Sequence, residues 1–205
     1  MLQATRRTAK ALGAVLAICY AGQMQAPIVT SVHGLHVPLR VGEDSVPSAE
    51  LEIHRETVVA EWIDYNGHMN VAYYVLAFDH ATDRFLDLLD VGADYVRRTN
   101  HSWFVLETHV TYRQEVVEGD PLRFTLRLVE HDAKRAHYYL DMHHAERGYL
   151  AATSEQLGLH VDLTARRSAP FPDAVAARLQ ALADAQGGLA RPEGVGRSIA
   201  LRRSG

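Results

Sequence analysis

Cysteine is almost missing from this chain: Cys19 stands alone, so no intrachain disulfide can form. Stability must come from a packed core, and the composition fits a reducing compartment, with the cytoplasm the expected location. Long apolar runs are missing too. None reaches the roughly 20 residues a helix needs to cross a bilayer, so no membrane partner is expected. Neither sign of charge dominates: Lys and Arg total 21 against 25 Asp and Glu, a net charge of −4. Basic residues cluster only in pairs such as Arg97-Arg98, which leaves no surface for nucleic acid. A glycine-rich phosphate loop and a Gly-x-Ser-x-Gly elbow are both absent, which argues against nucleotide-dependent and serine-hydrolase chemistry. The 12 histidines show no HxxxH or Cys/His spacing, so no metal site is expected.

What is present suits one ordinary domain with appendages: 205 residues, 47% hydrophobic and 22% charged. Residues 1–50 read as an N-terminal extension and linker. Arg6-Arg7 followed by a largely apolar Ala11–Gly22 loosely resembles a secretory signal. The run is short and lacks a small-x-small cleavage site, so an amphipathic helix or an extended translation start is the reading taken. Ile28–Val32 and Leu35–Leu39 flank His33-Gly34 as a small hairpin, and Gly42–Ser48 reads as a linker.

Regular patterning begins near Glu52. A first strand is expected over Glu56–Ile63, stopping at the Asn66-Gly67 turn, with Asn70 as the N-cap of the next element. Tyr74, Val75, Phe78, Ala81, Phe85, Leu88 and Leu89 then recur at three- and four-residue spacing, with Asp79 and Asp83 on a solvated face. That predicts a helix about 20 residues, or roughly 30 Å, long, ended by Gly92. Strands are expected over Trp103–Val116, Leu122–His131, Ala136–His144 and Tyr149–Asp162, with a surface helix over Ala174–Ala185 and a flexible basic tail over 187–205. The long helix can bury its apolar stripe only against the concave face of the sheet. The predicted class is α+β, a five-stranded antiparallel sheet wrapped around one long central helix. Residues 51–165 form the domain and 166–186 a C-terminal helix. Such a sheet leaves an edge exposed, and pairing edges across a twofold gives a homodimer, or a dimer of dimers.

The chemistry points to Asp64-Tyr65-Asn66-Gly67-His68-Met69-Asn70. A carboxylate, an imidazole and a carboxamide sit at the mouth of a helix, whose unpaired N–H groups and positive dipole end suit an oxyanion. Asp64 also suits a turn, His68 is chemically able near neutral pH, and Asn70 suits a cap. Glu107 and His109, two apart on a strand, share a face and reach the cleft if that face is concave.

This motif with Tyr73-Tyr74, and Phe104–Tyr112 followed by Val117-Glu118-Gly119-Asp120, resembles the hotdog-fold acyl-CoA thioesterases, especially the 4-hydroxybenzoyl-CoA thioesterase-like group. The resemblance covers residues 54–165. Within the group, Asp132-Ala133-Lys134-Arg135 and the overall spacing look most like betainyl-CoA thioesterases of carnitine breakdown. The resemblance implies hydrolysis of an acyl-CoA thioester at a site between two subunits, without metal or redox cofactor. It implies Asp64 as nucleophile or base, and N–H groups near Met69 to Ala72, Met69 and Val71 foremost, as oxyanion donors. Lys134 and Arg135 are expected to meet the CoA phosphates. Trp62, Tyr73, Tyr74, Trp103 and Tyr112 are aromatics able to cage a trimethylammonium group if they line one pocket. A hotdog enoyl-CoA hydratase and a non-catalytic acyl-binding module are the alternatives.

Overall fold

A computed structural model describes residues 51–201. The expected N-terminal hairpin, linker and apolar stretch, with Cys19, lie outside these residues. Along the chain come β1 (Leu51–Thr57), a 3₁₀ turn (Ala60–Trp62), α1 (Val71–Leu89), α2 (Ala93–Thr99) and β2 (His101–Tyr112). They are followed by β3 (Pro121–His131), β4 (Arg135–His144), β5 (Leu150–Asp162), β6 (Arg167–Ser168) and α3 (Asp173–Gln186). The strands pair antiparallel in the order β1-β3-β4-β5-β2, and β6 adds to the end of β5.

Periodicity explains the packing of α1. Tyr74, Ala77, Phe78, Ala81, Phe85 and Leu89 form its buried stripe, while Asp79 and Asp83 face out. Phe78 meets Phe124 edge-on, and Phe85 packs on Trp103 and Tyr138, so the stripe is pressed into the inner face of the sheet. Burying each such ring contributes about 2 kcal/mol. This is the hotdog architecture, a curled antiparallel sheet around one helix.

Several boundaries differ from expectation for physical reasons. The first strand lies over Leu51–Thr57, not Glu56–Ile63, because its pairing with β3 stops at Thr57↔Pro121. Pro121 has no N–H to extend the ladder, and the β-branched run that follows coils into the 3₁₀ turn. α1 stops at Leu89, where Asp90 adopts the left-handed conformation (φ 60°), and Gly92 instead begins the unforeseen helix α2. β2 ends at Tyr112 because Arg113 and Gln114 both donate to the Ala151 carbonyl, which breaks the ladder.

The C-terminal helix α3 shares the same core through Val175 and Leu179, and Arg178 donates to the Leu89 carbonyl. Its last residue, Gln186, does the work of a missing strand. β1 runs out opposite Leu126, and beyond it the Gln186 amide donates to Leu126 O (2.9 Å) and accepts from Leu128 N–H (2.8 Å). Residues 187–201, expected as a flexible tail, lie along the outer face of the sheet, where Gly196 N–H donates to the Glu155 carboxylate.

Candidate active site

The motif folds into a tight loop whose hydrogen bonds are almost all internal. Asp64 N–H donates to His68 O, Gly67 N–H donates to Asp64 O, and Ile63 and Met69 form a bridge. Gly67 takes φ +83°, a conformation that side chains rarely adopt. Asn70 then joins the loop to α1. Its Oδ1 accepts from Ala72 N–H at 3.0 Å, the expected N-cap, while its Nδ2 donates to Asp64 Oδ2 at 3.3 Å. Asp64 Oδ1 accepts from Asn66 N–H at 2.7 Å, so its carboxylate serves the turn through one oxygen and meets Asn70 through the other. One carboxamide thus spans from the carboxylate to the mouth of the helix.

Most of the N–H groups expected as oxyanion donors are already occupied. Met69 N–H, expected as a donor, is occupied: it donates to Val116 O at 2.9 Å. Ala72 N–H is taken by the cap and Tyr73 N–H by Asn70 O. Val71, the first residue of α1 and 58% exposed, keeps an N–H with no acceptor among the described residues. His68 is half-buried, with Nε2 3.9 Å from Glu115 on the loop after β2.

That loop also supports the motif. Val116, which anchors Met69, is held by Asp120, a buried carboxylate that accepts from Val117 N–H at 3.0 Å. Asp120 Oδ1 also pairs with His144 Nε2 at 3.2 Å. His144 Nδ1 accepts from the N–H groups of Glu146 and Arg147, so its ring proton sits on Nε2 and is donated to Asp120. Nothing in the spacing of residues 116, 120 and 144 announces this support; a buried Asp after a Glu-Gly turn was the only available signal.

The other expected residues separate. Trp62 stacks on Tyr73 at 5.8 Å, and Tyr74 meets Tyr112 edge-on at 5.2 Å. Adjacent positions on a helix diverge by about 100°, so these are two aromatic pairs flanking the start of α1, not one cage. Burial lifts the Tyr74 and Tyr112 phenols above their ordinary range, which keeps both neutral. Trp103 is elsewhere: it packs on Phe85, Tyr138 and Phe171, and the absent side chain of Gly158 makes room for its indole.

Glu107 and His109 share a face, as expected, but it is the wrong one for the cleft. A bulge between Val105 and Glu107 shifts the register by one residue. Thr108, Val110 and Tyr112 therefore face α1, and Glu107 and His109 point outward to a cavity of about 810 Å³ beneath residues 196–199. Lys134 ends the β3–β4 turn and Arg135 begins β4, while the motif abuts the other end of β3 at Asp120. Eleven strand residues, some 35 Å, separate the two within one chain. Arg135 is already paired through Nε and Nη2 with Asp132, whose carboxyl is held low: burial raises it, but hydrogen bonds from Arg135 and two backbone N–H groups outweigh that.

Residues 58–179 match the family model of the thioesterase-like superfamily. The chain belongs to the thioesterase-like superfamily. It is 41% identical over 154 residues to a betainyl-CoA thioesterase of Pseudomonas aeruginosa, covering 75% of this chain and 97% of the relative. It is 37% identical over 156 residues to an L-carnitine dehydrogenase/betainyl-CoA thioesterase of Rhizobium meliloti, covering 76% of this chain and 31% of that longer protein. A Staphylococcus aureus protein whose structure was solved in complex with CoA superposes with a TM-score of 0.70 at 30% identity, over 75% of this chain and 97% of the other. This thioesterase is a thioester hydrolase of the hotdog fold. Among its described residues, no helix is long and apolar enough to cross a membrane.

Proposed function

We propose that this thioesterase hydrolyses betainyl-CoA, a small acyl-CoA, in carnitine breakdown in the cytoplasm. The observation that carries the mechanism is the Asp64–Asn70–Ala72 chain of hydrogen bonds, which ties a carboxylate to a helix start whose first N–H is open. Asp64 acts on the thioester carbonyl as nucleophile, or as base for a water whose proton it takes. Val71 N–H holds the oxyanion, and collapse expels the CoA thiolate. Asn70 keeps the two ends in register, and His68, opposite Glu115, flanks the carboxylate. The reaction itself calls on water alone.

The two relatives named for betainyl-CoA thioesterase activity support the acyl group, and the fused L-carnitine dehydrogenase of one supports the pathway. The faces of Trp62/Tyr73 and of Tyr74/Tyr112 are suited to a trimethylammonium group by cation–π attraction. A homodimer is supported by β2, which ends the sheet with no neighbouring strand among the described residues, and by exposed Val71, Val75, Leu76 and Tyr112 beside it. A dimer of dimers follows if a second face pairs.

Thiol release from betainyl-CoA and from a neutral acyl-CoA of like size tests the assignment. A clear preference for the cation is expected. No preference rejects the betainyl assignment, loss of enoyl absorbance from an added enoyl-CoA without thiol release indicates a hydratase, and binding without turnover indicates an acyl carrier.

A further inference from the structure

Away from Asp64, β1 and α1 bring together three metal-binding side chains that the mechanism does not use. His54 and Glu56 are two apart on β1 and so share a face, and His80 approaches from the third turn of α1. Their ligand atoms all lie within 4.8 Å of one another. Glu56 Oε2 is 2.9 Å from His80 Nδ1 and 3.5 Å from His54 Nε2. Ligands around tetrahedral zinc, at about 2.0–2.2 Å from the ion, stand roughly 3.3–3.5 Å apart. The spacing is therefore close to that of a coordination shell before any adjustment.

Two atoms of the cluster are buried without a hydrogen bond: His54 Nε2 and Glu56 Oε1. Each such atom costs about 1–3 kcal/mol unless something satisfies it. A hydrogen bond from His80 reaches only Oε2, whereas one divalent ion reaches the His54 nitrogen and the carboxylate together. Phe124 lies against His54 and Trp62 against His80, so the pocket is walled by rings. The His80 side chain, 40% exposed, leaves an entry path.

We infer that His54, Glu56 and His80 bind a divalent transition-metal ion, zinc by its preference for two imidazoles and one carboxylate. The fourth position belongs to water. The ion pins edge strand β1 to α1. Trp62, resting on His80, also carries the carbonyl that accepts Asn70 N–H, so the brace extends to the motif loop.

The test uses the full-length protein, stripped of metal and titrated with Co²⁺ while its visible d–d absorption is followed, then with Zn²⁺ in competition. One equivalent of Co²⁺ per chain, displaced by Zn²⁺, is expected. His80→Gln and Glu56→Gln should each weaken binding by at least about tenfold, as loss of a direct ligand costs no less than loss of a supporting group. His109→Gln should leave it unchanged. Zn²⁺ should raise the Tm of the parent and not that of His80→Gln. Absence of a saturable spectrum, or equal affinity in the parent and both cluster variants, overturns the site. His80 is partly exposed, so His80→Gln decides alone if Glu56→Gln does not fold.

Discussion

The loop Asp64–Asn70 and the strand pair Glu107/His109 are equally conspicuous as sequence, yet folding treats them differently. The loop is organised mainly by hydrogen bonds between residues at most eight apart, with Met69 N–H on Val116 O as a long-range tie. The strand pair depends on alternation carried along β2, and one extra residue after Val105 turns it from the inner face to the outer. Chemistry that is local in the chain survives folding unchanged. Chemistry that relies on a repeat is only as safe as the register.

The sharpest way to break this contrast is Asp64→Asn. Turnover should fall by about 10³-fold, within the range for a lost acid–base or nucleophilic group, while the circular dichroism and melting curve stay near the parent's. Steady-state thiol release in a folded variant checks it, and near-parent activity would remove Asp64 from the mechanism. Next is Asp120→Ala, which leaves His144 Nε2–H and Val117 N–H without acceptors in a buried place. A loss of about 2–3 kcal/mol in urea unfolding is expected, with a smaller loss of turnover than for Asp64→Asn. Asn70→Ala removes the cap and the tie to Asp64 together. It should cost about 1 kcal/mol in stability and lower kcat more than it raises KM, because the link serves positioning. The smallest effect belongs to Glu107→Ala/His109→Ala: kcat/KM for a monomeric or dimeric sample should be unchanged. A large drop would mean that the outer face takes part, and would dissolve the contrast.

Much of the architecture was readable from residue patterns. The three- and four-residue spacing from Tyr74 to Leu89 located α1, and the Asn70 cap placed its start to the residue. The hairpin breaks at Glu118–Pro121 and Asp132–Lys134 located β3 and β4 within a residue or so. The first strand was misplaced because Val58-Val59-Ala60 has strand composition but no partner beyond Pro121. α2 was missed because seven residues are too few for periodicity to declare itself. In the loop, Asp64 and Asn70 form the turn and the cap that their residue types suit. Met69 lost its N–H to Val116, a residue 47 positions away, and Trp103 was drawn into the core by Phe85 and Phe171.

Residue order alone settled the helix, its cap and the turn that carries Asp64, since each rests on interactions within one or two turns of chain. Only the tertiary structure decided which strand face meets the helix, which N–H stays open at the start of α1, and that Asp120 and His144 support the loop. It alone brought His54 and Glu56 to within bonding reach of His80, 24 residues beyond Glu56. Those outcomes depend on strand register and on the packing of α1 across the sheet, and neither leaves a periodic trace in the chain.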